Sequence, residues 1–265
     1  MTNIIEVKNL TKKFGDFTAV NDISFNVGTG EIFAFLWPNG AGKTTTIKIL
    51  TTLLHPSTGK VSVNWFCPFS QKNQVRRSIG IVFQDPSLDD ELTAYENMMF
   101  HAVLYGVKKS IAKQRISDLM HLVELWDRKN DLVKTFSGWM KRRLEIARGL
   151  IHHPKILFLD EPTIGLDPQT RNFLWWYITQ LNKQENMTIF LTTHYMEEAE
   201  KIANRIAIID HGKIVSIWTS QELKQKTSTD SLEEAFLKLT GSTIREEQSS
   251  GKDHMRMRHK LWNRR

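Results

Sequence analysis

The chain has 265 residues, a single cysteine, a formal net charge of +7, and 40% hydrophobic and 25% charged residues. That length holds one large domain, or one domain with an inserted lobe, around a true core, while the lone Cys67 excludes an internal disulfide framework and a multi-cysteine metal site. No apolar run reaches the roughly 18 residues of a membrane-spanning helix, the first residues lack a basic-then-apolar leader, and the expected compartment is the cytosol.

In chain order, residues 4–7 and 23–27 alternate like strands. Residues 31–36 form a short apolar run that meets Pro38-Asn39-Gly40-Ala41-Gly42, and a helix-like stretch follows over 43–54. That order is strand, glycine loop, helix. Further strands are read at 61–63 and 79–83. Over 92–150 apolar residues recur at helical spacing, as in Leu119, Leu122, Val123, Leu125 and Trp126, which predicts a mostly helical lobe. Strands return at 156–159, 188–191, 205–209 and 214–217 with helical stretches between. Strands alternating with helices imply a parallel sheet covered on both faces. Residues 241–265 turn polar and carry +4 of the +7 charge. The basic excess is therefore local: a solvated, disordered tail, or one that touches acidic lipid or nucleic acid.

The segment Trp37-Pro38-Asn39-Gly40-Ala41-Gly42-Lys43-Thr44 carries most of a phosphate-binding loop. Glycines let backbone N–H groups turn inward around phosphate oxygens, and the next helix adds its positive end. Lys43 reaches the β- and γ-phosphates in such a loop, and the Thr44 hydroxyl holds Mg²⁺. The pattern departs at Trp37, where the first glycine is expected. The bland alternative is a glycine-rich turn before an ordinary helix.

Farther along, Ile156-Leu157-Phe158-Leu159-Asp160-Glu161 is an apolar strand ending in two carboxylates. Such strand ends face ligands in α/β sheets. Asp160 suits an assisting role at Mg²⁺, and Glu161 suits the polarisation of an attacking water. Taken alone, the pair reads equally as a helix cap or turn.

Four more segments narrow the reading. Ser137-Gly138-Trp139-Met140-Lys141-Arg142-Arg143, placed before a helix at 144–150, resembles the signature motif of ATP-binding cassettes of ABC transporters, with Trp139 in place of its second glycine. Ile164-Gly165-Leu166-Asp167 resembles their D-loop, Thr192-Thr193-His194 their switch histidine, and Gln84 after strand 79–83 their Q-loop glutamine. The resemblance runs from about Asn3 to Ser220 and is closest to drug- and sodium-exporting cassettes.

The resemblance implies a P-loop NTPase core with a mainly parallel sheet, an N-terminal antiparallel β part and an inserted helical lobe. It divides the chain into a cassette over 1–240, with core 1–85 and 151–220, lobe 86–150 and a C-terminal helical segment 221–240, and the tail. It implies ATP and Mg²⁺ as ligands. Phe14 stacks on adenine, or else is a core residue of the N-terminal sheet. Asn39, Gly40, Ala41, Gly42, Lys43, Thr44 and Thr45 hold the phosphates. Ser137 and Gly138 close over the γ-phosphate of a second cassette, and Asp167 reports across that dimer. Thr44, Gln84 and Asp160 attend the metal, while Glu161, His194 and Gln84 serve hydrolysis. The implied partners are separate transmembrane permease subunits and a second cassette, with no nucleic acid, at the cytoplasmic face of the membrane. The implied function is ATP hydrolysis that powers export. Two alternatives stand beside it: a catalytically impaired regulatory cassette, and a non-transport ATPase of the same family.

Trp37, Trp65, Trp139 and Trp218 all stand where glycine is expected. Asn64-Trp65, for instance, occupies the place of an Asn-Gly hairpin turn. A Cβ and an indole at such positions predict strain, and at Trp139 obstruction of a partner's phosphate, with weakened ATP binding and impaired hydrolysis.

Overall fold

The computed structural model describes residues 2–36, 43–85 and 87–241. Two long antiparallel strands come first, β1 (Asn3–Phe14) and β2 (Phe17–Gly28). Next are β3 (Ile32–Leu36), α1 (Lys43–Leu50), β4 (Thr58–Val63), α2 (Lys72–Ser78) and β5 (Ile79–Val82). Three helices occupy the region of helical spacing: α3 (Ala94–Leu104), α4 (Lys109–Leu122) and α5 (Gly138–Leu150). Then follow β6 (Ile156–Asp160), α6 (Pro168–Glu185), β7 (Thr188–Thr193), α7 (Met196–Ile202), β8 (Arg205–Asp210) and β9 (Lys213–Trp218), with α8 (Ser220–Thr227) and α9 (Leu232–Thr240) last.

The strands form two sheets. β2, β1 and β4 make an antiparallel one; the other six run in the order β5-β6-β7-β3-β8-β9, parallel except for β9. Side-chain alternation between two covered faces explains why the parallel strands are largely apolar. Ile32, Ala34, Leu36, Leu157, Leu159, Ile189 and Leu191 pack into one buried cluster together with residues of α3, α4, α5 and α6. Phe33, Phe35, Ile156, Phe158 and Phe190 pack into a second cluster, shared with α1 and the antiparallel sheet. Phe190 is its hub, with the rings of Phe35, Phe158 and Phe33 at 4.9, 5.3 and 5.8 Å, separations at which aromatic pairs add to the burial energy.

Two boundaries differ from the sequence reading. α1 stops at Leu50 instead of running to residue 54. Thr52 is left-handed at φ +70°, its N–H donates to Ile49, and the N–H of Leu53 donates to Lys48, which is a Schellman closure of the helix. α5 starts earlier than residue 144, at Gly138, because Ser137 caps it: its hydroxyl accepts from the Met140 N–H at 3.2 Å. The far end of α5 crosses β5 closely. A Cβ at Gly80 would lie 2.5 Å from the carbonyl oxygen of Gly149, so only glycine permits this approach. The expected turn at Asn64-Trp65 is present, with φ +49° and +62° and paired Val63 and Phe66. Trp65 thus adopts a conformation suited to glycine. Among the described residues no helix is long and apolar enough to cross a membrane.

Candidate functional site

The site forms where strands end. In the parallel register Asp160 lies beside Thr192, and Leu36 beside Thr193. The C-terminal ends of β6, β7 and β3 therefore meet on one edge, where open α/β sheets bind ligands. Lys43 begins α1 just beyond that edge.

The Lys43 ammonium is ion-paired with Oε1 of Glu161. Nδ1 of His194 lies 2.9 Å from Oε2 of the same carboxylate. A carboxylate only accepts, so Nδ1 carries a proton. Asp160 is buried and accepts from the Thr192 hydroxyl at 2.7 Å. The backbone turns sharply between the two acids. Glu161 is left-handed at φ +48°, and its N–H donates to both the carbonyl and the hydroxyl oxygen of Thr192 at 3.1 Å. A non-glycine residue in that region costs about 1–2 kcal/mol, and Thr192 holds it there. The turn sends the Asp160 side chain to the neighbouring strand and the Glu161 side chain to Lys43.

Burial lowers the pKa of Lys43, with the charge of Asp160 opposing. Burial and then the charge of Lys43 lower that of His194, Arg171 adding to the effect and Glu198 opposing it. On balance these effects favour the neutral imidazole.

Thr44 and Thr45 stand in the first turn of α1, beside Lys43. Trp37, Asn39, Gly40, Ala41 and Gly42, and the tail beyond Gly241, lie outside the described residues. Gln84 follows β5, and its carbonyl accepts from Arg142 at 3.1 Å. Asp167 caps α6 by accepting from the Thr170 N–H at 3.0 Å, and the hydrogen bonds from Thr170 hold its carboxyl below the usual range. Phe14 is exposed at the β1–β2 turn with Lys12 5.0 Å over its ring. Among the described residues no hydrogen bond or ion pair links Phe14, Ser137, Gly138 or Asp167 to the Lys43–Glu161–His194 group.

Sequence reasoning missed several contributors. Thr192 shapes the Asp160-Glu161 turn; the Thr192-Thr193 pair at the strand end was visible, but not the turn it holds. The buried pair Arg142 and Glu145, 3.1 Å apart, grips the segment leaving β5. Arg142 donates to the carbonyls of Phe83 and Gln84, and Glu145 accepts from the Ser87 N–H at 2.7 Å. Arg148, one turn on, reaches the Ser87 carbonyl at 2.8 Å. Basic and acidic residues at helical spacing were visible, but not their target. Trp139 does not lie loose in solvent. Its ring meets Phe173 edge-on at 6.1 Å, with the Arg143 guanidinium 4.9 Å over it.

The donor set fits a nucleoside triphosphate with a divalent cation. An ammonium at a helix start suits phosphate, and the Thr44 hydroxyl with the Asp160 carboxylate offers the hard oxygens that Mg²⁺ prefers. A parallel sheet with a helix-opening lysine beyond the end of β3 and paired acids at the end of β6, one strand removed, defines a P-loop nucleotide-binding protein. Residues 20–164 match the ABC transporter family, and the chain belongs to that family as an ATP-binding cassette of the exporter type. It is 40% identical over 243 residues to the linearmycin resistance ATP-binding protein LnrL of Bacillus subtilis (strain 168), covering 92% of this chain and 76% of that one. To the daunorubicin/doxorubicin resistance ATP-binding protein DrrA of Streptomyces peucetius it is 40% identical, covering 87% and 70%. Among solved structures, the ATP-binding subunit of an ABC transporter superposes with a TM-score of 0.81 at 28% identity, over 89% of this chain and 99% of that one.

Proposed function

We propose that this cassette hydrolyses ATP to drive export through separate transmembrane permease subunits. It works at the cytoplasmic face of the membrane and pairs with a second cassette, its own copy or a different one. The observation that carries the reading is the convergence of Lys43 and His194 on Glu161 beside Asp160. Relatives named for resistance to linearmycin and to daunorubicin/doxorubicin support export as the use of that chemistry.

The roles follow from the groups. Lys43, Thr44 and Thr45 hold phosphate oxygens at the start of α1. Mg²⁺, attended by Thr44, Gln84 and Asp160, supplies neutralisation of phosphate charge. Glu161 takes the proton of the attacking water, and the neutral imidazole of His194 holds the Glu161 carboxylate in line through Nδ1–H. Phe14 offers its exposed ring to adenine. Ser137, Gly138 and Asp167, at the starts of α5 and α6, serve the partner cassette's nucleotide.

One observation favours a second reading, a catalytically impaired regulatory cassette. Trp139 places an indole directly after Ser137-Gly138, where the family pattern has glycine. Steady-state ATP hydrolysis by the purified chain, with Glu161→Gln as the blank and a Trp37→Gly/Trp139→Gly double variant alongside, separates the two. Turnover well above the blank supports a working motor. Silence that the double variant relieves supports the regulatory cassette.

A further inference from the structure

Glu198 belongs to no motif given a chemical role above, yet its carboxylate is buried in the first turn of α7, with the residue only 7% exposed. A carboxylate leaves water only where donors replace the solvent. Here the donors are two buried hydroxyls, both on Oε2: Thr163 at 2.9 Å and Thr193 at 3.0 Å. Thr163 lies two residues after Glu161, and Thr193 immediately precedes His194. The Thr193 hydroxyl also accepts from the Tyr195 N–H at 3.0 Å, closing the backbone over His194. A single carboxylate oxygen thus ties the loop bearing Glu161 to the loop bearing His194.

The second oxygen, Oε1, is buried without a hydrogen-bond partner, as is Nε of Arg171. A guanidinium nitrogen of Arg171 stands 4.0 Å from it. Arg171 itself stacks 4.6 Å over Tyr195, whose ring lies 4.1 Å from that of His194. Arg171 sits in the first turn of the helix that Asp167 caps, so its countercharge reaches Glu198 from α6.

We propose that Glu198 is a positioning residue: by holding Thr163 and Thr193 on one carboxylate oxygen, it fixes His194 against Glu161 in a single orientation. The inference rests on Glu161 and His194 being the working pair. It separates Glu198 from a merely structural acid because its effect is read at His194, a residue it does not touch.

The test uses the purified full chain labelled with nitrogen-15 at histidine. His194→Ala assigns the His194 ring signals. Glu198→Gln keeps an acceptor for both hydroxyls and should preserve the hydrogen-bonded Nδ1 signal. Glu198→Ala should replace it with tautomer-averaged signals while the other histidines stay put. ATP turnover should fall about 100-fold in Glu198→Ala, the order expected when a reacting group shifts by about 1 Å, with KM for ATP within about twofold. A folded Glu198→Ala with unchanged His194 signals overturns the proposal. If that variant fails to fold, Thr163→Ala removes one of the two ties and carries the same readout, and unchanged signals there overturn it equally. Glu161→Gln distinguishes the two failures. If it turns over ATP as the natural chain does, the reading of the site falls. If it is silent while His194 ignores Glu198, only the positioning role falls.

Discussion

The ammonium of Lys43 and Oε1 of Glu161 form the ion pair at the centre of the site, with His194 on the remaining carboxylate oxygen. Phosphate reaching Lys43 competes with that internal carboxylate. Glu161→Gln keeps the shape and removes the charge, so it should act in two directions. Turnover should fall by about 10²–10⁴, the worth of a general base, while ATP binds more tightly because the ammonium has lost its internal counter-ion. Phosphate release and fluorescent-nucleotide titration measure the two effects, and weaker binding by the variant contradicts the competition.

His101 and His152 flank Tyr105, at 4.8 and 3.8 Å between ring centroids. Burial, then the charges of Arg148 and His152, drives the pKa of His101 from 6.5 down to about 3. Burial drives that of His152 to about 4, the hydrogen bond to the Ile79 carbonyl opposing. The unfolded chain titrates both near 6.5 and so binds more protons than the folded chain below that pH. Stability from these groups is complete above about 6.5 and declines as pH falls toward about 4, His101 continuing toward about 3. The slope approaches about 2.7 kcal/mol per pH unit while both are charged only in the unfolded chain. Urea unfolding between neutral pH and pH near 4 should show this slope, and His152→Gln should roughly halve it.

The Arg142–Glu145 pair is a stability element as much as a placement device. Glu145→Ala strands a buried guanidinium and removes the acceptor of the Ser87 N–H. Breaking a buried pair of this kind costs about 3–5 kcal/mol. The urea midpoint should drop accordingly, and proteolysis should open the chain first near Gln84 to Ser87. A loss below 1 kcal/mol would show that the grip is not what holds this segment.

Trp65 offers a test of opposite sign. It is exposed and left-handed at φ +62°, so its side chain buries little while its Cβ strains the turn. Trp65→Gly should stabilise the fold by about 1 kcal/mol, raising Tm by about 2–4 °C. An unchanged or lower Tm in calorimetry would mean that the indole packs better than its exposure indicates.

The strands were legible because both sheet faces are buried, which gives each parallel strand a short run of mostly apolar residues. Asp160 and Glu161 were legible because they close such a run directly, Lys43 because a glycine loop precedes it, and His194 because it follows the Thr192-Thr193 end of a strand. β1 and β2 were seen only as fragments. Left-handed Asn9 and Asp22 bulge the pair and interrupt the alternation. α2 left no period, since only Val75 and Ser78 of its seven residues are buried. Thr192, Arg142 and Glu198 act through register and crossing. Thr192 matters because β7 pairs with β6 across 32 residues of sequence, and no local pattern carries that information.

Trp139 decides between the motor and the regulatory readings, and its packing sets the terms. The indole rests on the edge of Phe173 and beneath Arg143, contacts worth about 0.5–1.5 and 0.5–1 kcal/mol. Trp139→Gly forfeits both and puts glycine in the first turn of α5, so unfolding free energy should fall by about 2 kcal/mol or slightly more. Whether turnover rises is a separate matter. If the indole obstructs the partner's phosphate, hydrolysis increases despite the lost stability, an inversion that no general loosening of the fold produces. If the contact with Phe173 already holds the indole clear, stability and turnover fall together. Measuring Tm and ATP hydrolysis on the same preparation of Trp139→Gly distinguishes the outcomes, and Trp139→Phe, which retains a ring against Phe173, should recover most of the stability in either case.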